Sequence, residues 1–212
     1  MQLRPDVYAA RLGQDIVLLD VGCGEYLCLA DAADAFDLPA DGPPRILDAD
    51  LAQDAAALGL LGGGPARPLV WPSAPAAHLP VDAGRTLGPR DAADGLAAFG
   101  ALLRYYHGRR FPDLVAYARR PGAKVATDGF APALADRVQA FRRILPWAPF
   151  QGVCLYRSFF LLVFLRRRGL DARWVFGVRT WPFEAHCWLQ ADAVVLDDTL
   201  DHVRPFTPIF AV

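Results

Sequence analysis

The stretch CLYRSFFLLVFLRRRGL, running from Cys154 to Leu170, decides the fold. From Phe159 to Leu165 every residue is apolar, so no polar face is left for water, and a helix here must be surrounded by protein. Pro149 and Gly152 lie just before it and Gly169 is a fitting C′ residue. Arg166, Arg167 and Arg168 suit the negative end of the helix dipole and read as a solvated helix end. The apolar run is far shorter than the ~20 residues needed to cross a bilayer. The stretch therefore predicts a short central helix of a globular domain.

On the C-terminal side the pattern changes to strands. Residues 172–178 (ARWVFGV), 186–190 (HCWLQ) and 194–197 (VVLD) are β-rich, with Pro182 interrupting between the first two. On the N-terminal side Leu96, Phe99, Leu102 and Leu103 form one helical stripe. Leu134, Val138, Phe141 and Leu145 form another, ended by Pro146 and Pro149. Helices followed by antiparallel strands make an α+β arrangement, with the central helix packed on the sheet.

Residues 62–90 are rich in Gly and Pro (GGGPARP, WPSAP, LGPR) and mark a junction, with Val70 and Trp71 packing onto something. Before it, residues 7–12, 15–21 and 25–29 read as a three-stranded meander with a turn at Gly22–Gly24. Residues 31–36 suggest a short helix. Asp50 is the expected N-cap of a helix over 51–58, Gly59 its stop, and Leu60 and Leu61 a final apolar clasp. The resulting division is 1–65, a small domain of three strands plus helices; 66–92, a linker; and 93–212, the second domain.

With 212 residues, 54% hydrophobic and 21% charged, the chain can bury a core. A formal charge of -1 and no basic recognition helix argue against nucleic acid and anionic lipid as partners, and against a transcription factor. Residues 1–10 lack a secretory pattern, so the expected location is cytoplasmic. Cys23, Cys28, Cys154 and Cys187 then default to thiols, with no CxxC pair to suggest zinc.

Cys154 opens the central helix, where free N–H groups and the dipole favour a thiolate. His186 stands at a loop-to-strand junction, suited to act as base, and Cys187 should face the other side of the sheet. Asp198 follows His186 by twelve residues and is the expected orienter of the imidazole; Asp197 competes but should point away. Gln151 is a candidate oxyanion donor beside the Cys154 N–H. Arg157, one turn on, is open to a substrate role or an ion pair. Trp181 and Phe183 are candidate cleft walls. Cys23, Cys28 and Cys187 read as buried small residues, and His78, His107 and His202 as ordinary surface or core histidines.

The C-L-Y-R-S run from Cys154, the R-R-R-G-L run to Leu170, A-H-C-W from Ala185 and V-L-D-D to Asp198 together resemble the transglutaminase-like cysteine proteases of lasso-peptide biosynthesis, the B proteins. The resemblance spans about residues 96–212. The first domain is similar to the winged-helix-like leader-recognition domain of such pathways. The resemblance implies a transglutaminase/papain-like fold and removal of the leader from a ribosomally made precursor. It further implies leader addition to the edge at Glu25, Tyr26, Leu27, Cys28 and Leu29, beside Leu51 and Leu58 of the helix. The protease half would need no metal or cofactor. A partner synthetase resembling asparagine synthetase would use ATP to close the macrolactam. A non-catalytic leader-binding scaffold and a Cys-His-Asp acyltransferase or transglutaminase are the alternatives.

Overall fold

The computed structural model describes residues 1–39, 42–64, 71–82, 84–106, 110–120, 132–149 and 153–212. The first segment is the expected meander: β1 (Val7–Leu12), β2 (Asp15–Asp20) and β3 (Glu25–Leu29), antiparallel in the order β1-β2-β3. A two-residue turn joins β1 to β2, since Leu12 pairs with Asp15, and Gly13 supplies the positive φ it needs. Residues 31–36 hold a 3₁₀ turn, Ala33–Ala35. It leads into β4 (Phe36–Asp37), which pairs with β5 (Arg45–Ile46). Next comes α1 (Ala49–Ala57). Its N-cap is Asp48, not Asp50: the Asp48 carboxylate accepts from Leu51 N–H at 2.8 Å. Asp50 falls instead in the first turn, where its charge also favours the dipole. Gly59 ends the helix at φ +69°.

β2 is buried over nearly its whole length, which a sheet with one wet face would not allow. The reason is that both faces are covered. Ile16 and Leu18 pack with Val7, Ala52 and Ala55 in a small core under α1. Val17 and Leu19 join the main core of the C-terminal half. Along β3, Leu27 and Leu29 face the small core, and Tyr26 and Cys28 the main one. Tyr8 of β1 stacks on Phe210 at 4.8 Å.

The junction is partly structured: Ala77–His78 forms β6, a parallel edge strand. Trp71 is half-exposed, and Val70 lies outside the described residues. α2 (Pro89–Tyr106) follows, then α3 (Phe111–Ala118), α4 (Pro132–Ile144) and α5 (Cys154–Arg166). The expected stripe on α2 is off by about one residue, or ~100° around the axis. Leu96 is 75% exposed, while Asp94, Gly95, Ala98 and Leu102 are buried. Polar forces set the rotation: Asp94 turns inward to Arg137 at 2.7 Å and Arg168 at 2.6 Å. Gly95 lets Ile144 approach where a Cβ would sit 3.0 Å away.

α5 is buried on all sides from Ser158 to Leu165, as its sequence demands. The arginines at its end are not simply solvated. Arg166 donates to Asp171 at 3.0 Å and to the Tyr117 and Ala118 carbonyls closing α3; Arg167 and Arg168 donate to Asp94. They tie three helices together.

α5 packs against a five-stranded sheet ordered β10-β7-β8-β9-β6. Its members are β7 (Arg173–Arg179), β8 (Glu184–Ala191), β9 (Val194–Val195) and β10 (Thr207–Ala211), with the one-turn helix α6 (Leu200–Val203) before β10. All neighbours are antiparallel except β6 with β9. The molecule is thus α+β, with helices packed on an antiparallel sheet. Among the described residues no helix is long and apolar enough to cross a membrane.

Candidate active site

Cys154 is the first residue of α5, and Val153 before it is extended. Cys154 thus belongs to the turn whose leading N–H groups lack intrahelical partners and whose dipole end is positive. His186 sits near the start of β8, opposite Gly177 of β7. β9 pairs with β8 only at Gln190 and Ala191. At His186 and Cys187 the outer edge of β8 therefore carries no strand among the described residues, and Cys154 takes the Cys187 N–H there.

Cys154, His186, Arg157, Val153, Glu184, Ala185 and His202 line one open cleft of about 300 Å3. Asp198 meets His186 from behind, with Oδ2 2.7 Å from Nε2. A carboxylate only accepts, so Nε2 carries a proton, and Nδ1 is the ring nitrogen left for the thiol. Phe206 stacks on the imidazole at 5.2 Å.

Of the two competing acids, Asp198 reaches the histidine. Asp197 points the other way and accepts from Leu189 N–H at 2.8 Å. Burial pushes its carboxyl up to about 6, despite Arg157 Nε at 3.8 Å. Asp198 is also pushed up by burial. Bonds from His186, Thr199 N–H and His202 outweigh that push, and with the Arg157 charge they hold it well below the usual carboxylate range.

The charges favour an ion pair. The Cys154 thiol is lowered to about 4, first by a hydrogen bond from the Cys187 thiol, then by His186, against the opposing effect of burial. Burial pulls His186 down, but its bonds to Asp198 and Cys154 win and lift it to about 9. Between those values sulfur is a thiolate and the ring an imidazolium. Such an arrangement suits attack on a carbonyl followed by protonation of a leaving amine.

Cys187 is buried and faces α5, away from the His186 ring, as strand alternation requires. Its sulfur lies 3.4 Å from Ser158 Oγ and touches Cys154. Cys23 is exposed and Cys28 half-buried, so neither is the buried residue expected. His202 is no ordinary surface histidine: Nδ1 lies 2.9 Å from both oxygens of Asp198. His78 is exposed and accepts from Leu200 N–H at 3.3 Å. Trp181 is 75% exposed and donates to Asp15 at 2.7 Å, and Phe183 packs on Tyr26 at 6.0 Å. The two expected cleft walls thus pack on the N-terminal sheet, and neither is among the residues lining the cleft. Gln151 and His107 lie outside the described residues.

His186, Asp198 and His202 bring three ligand-type atoms within 4.8 Å of one another. Each histidine is hydrogen-bonded to Asp198, His186 at 2.7 Å and His202 at 2.9 Å. That is closer than the roughly 3.3 Å between ligands on a tetrahedral zinc with 2.0–2.1 Å bonds.

A second concavity, of about 210 Å3, lies along β3. Glu25, Tyr26, Leu27 and Leu58 line it with Leu18, Asp20, Cys23 and Leu60. Leu29 and Leu51 pack on the small core instead, and Cys28 on the main one.

Residues 96–211, more than half of the chain, match the transglutaminase-like superfamily, and the chain belongs to that superfamily. Over 49 residues, 23% of this chain, it is 41% identical to the microcin J25-processing protein McjB of Escherichia coli. The aligned stretch covers only 24% of that relative. No solved structure matches the chain.

Proposed function

We propose that this protein is a cysteine protease that removes the leader of a ribosomally made lasso-peptide precursor. The observation carrying the reading is the 2.7 Å contact of His186 with Asp198 behind a cleft that also holds Cys154 at a helix start. Membership of the superfamily and the short likeness to a microcin-processing protein support it. In this reading residues 93–212 form the protease domain, 66–92 the linker and 1–65 a winged-helix-like leader-recognition domain.

The Cys154 thiolate attacks the scissile carbonyl. The oxyanion is held by the Cys154 N–H and, on the sequence expectation, Gln151. His186 passes its Nδ1 proton to the leaving amine and the core peptide departs. The leader remains as a thioester. Water, losing a proton to His186, releases it as a carboxylate and restores the thiol pair.

Leader capture falls to β3, whose outer edge carries no partner strand among the described residues. An extended leader gains backbone hydrogen bonds there, with side chains in the groove between Leu27 and Leu58. A partner synthetase resembling asparagine synthetase then spends ATP to join the freed amine to an acidic side chain.

The test incubates the protein with a leader–core precursor, with and without synthetase, and follows product masses. Free leader with a carboxylate end is the expected product. Mass gain on an added amine would indicate acyl transfer instead, and tight binding without conversion a scaffold.

A further inference from the structure

Asp198 is clasped from several sides. Oδ2 takes His186 Nε2 at 2.7 Å and Arg157 Nη2 at 3.0 Å, and Oδ1 takes Thr199 N–H at 2.8 Å. The remaining donor is His202, whose Nδ1 lies 2.9 Å from both oxygens. Ionised Asp198 offers no proton, so His202 holds its own on Nδ1. Its ring lies 4.6 Å from that of His186, centroid to centroid, and meets Phe206 edge-on at 6.0 Å.

The surroundings fix His202 in turn. It sits on α6, where Thr199 Oγ1 accepts from His202 N–H at 3.4 Å. The same helix is tied to the linker through Leu200 N–H and His78 Nδ1. The side chain lines the cleft, half-exposed, alongside Cys154 and Arg157.

We infer that His202 is a positioning residue of this site: its Nδ1–H spans both Asp198 oxygens and locks the carboxylate in the orientation that His186 requires. The inference rests on the protease reading for its consequence, not for its geometry. Without that donor the carboxylate is held only by His186, Arg157 and Thr199 N–H and rotates more freely. Its hold on the imidazolium weakens, and the thiolate loses its counter-ion.

Asparagine carries an amide N–H about where the histidine Nδ1–H sits, whereas leucine fills similar space with no donor. Full-length wild type, His202→Asn, His202→Leu and His202→Ala are compared in two assays. The first is the rate of Cys154 alkylation by iodoacetamide from pH 4 to 9, read on the peptide containing Cys154 so that Cys23 and Cys28 do not interfere. The second is precursor cleavage, with kcat and KM separated. His202→Leu and His202→Ala should lower kcat about tenfold, the size expected for one charge-assisted hydrogen bond, with KM unchanged. Both should also move the alkylation midpoint upward. His202→Asn should restore both readouts.

Equal behaviour of all three variants and wild type overturns the inference. Equal impairment of His202→Asn and His202→Leu also overturns it, because the donor would then not matter. If wild type fails to cleave while the alkylation series behaves as stated, the protease reading fails and the role of His202 stands.

Discussion

Among the described residues, β3 leaves its outer row of N–H and C=O groups without a partner strand, while Asp198 accepts from four donors. The two regions treat polar groups in opposite ways. An open edge is a template for a second chain, and its unmet hydrogen bonds are the source of affinity. A carboxylate that must orient an imidazole has to be held fast, with every lone pair occupied. In the proposed function, capture and chemistry would be built separately, with Tyr26 of β3 packed on Phe183 of the β7–β8 turn at 6.0 Å. Substitutions should then divide into those that touch turnover and those that touch binding.

Cys154→Ala should have the largest effect: cleavage falls by about 10⁴ or more, while leader affinity, by fluorescence anisotropy, stays within twofold. Asp198→Asn should lower kcat by about 10²–10⁴ and also lower Tm, because a carboxyl held below its usual range stabilises the folded state when ionised.

The pH profile of kcat/KM should be bell-shaped. Activity is lost as pH falls through about 4, where the thiolate gains a proton, and as pH rises through about 9, where the imidazolium loses one. Both limbs belong to the coupled pair. A single limb near 6.5 would contradict the ion pair.

On the other side of the comparison, Leu27→Asp should weaken leader binding about tenfold and leave kcat at saturating precursor unchanged, since Leu27 lines the β3 groove and not the cleft. The smallest effect is expected at Asp197. Burial lifts its folded carboxyl to about 6, above its ordinary value of 3.8. The folded state thus binds the proton more tightly, and stability falls as pH rises from about 4 to 6. Asp197→Asn removes a buried charge while keeping the acceptor for Leu189 N–H. Its Tm at pH 7.5 should be equal to wild type or up by ~1–3 °C, read by calorimetry. A large loss would mean that the Arg157 pairing outweighs burial.

Much of this was legible in the sequence where one physical signal dominated. The all-round apolar run after Cys154 dictated a buried helix, and the β-rich runs with the turn at Gly22–Gly24 dictated the meander. β10 was not legible, because Pro208 in TPIFA argues against a strand. It is tolerated there because β10 is an edge strand with an irregular register at that point. α2 was misread because apolar spacing ignores a buried acid: Asp94 chose the face. α3 had a signal in Pro112 and Asp113 at its first turn. At the site, spacing brought out Cys154, His186 and Asp198. It missed His202 and the Cys187 thiol, whose parts depend on three-dimensional contact. An i+4 pairing of Asp198 with His202 was the one local clue.

In the proposed mechanism the Cys154 sulfur takes the leader as a covalent thioester. Acid-quenched mixtures of enzyme and precursor, taken within the first turnovers and analysed by intact mass and peptide mapping, test it directly. An adduct of leader mass minus one water is expected on the peptide beginning the central helix, absent from Cys154→Ala. Cleavage that proceeds in Cys154→Ala with no adduct on any wild-type peptide would contradict it.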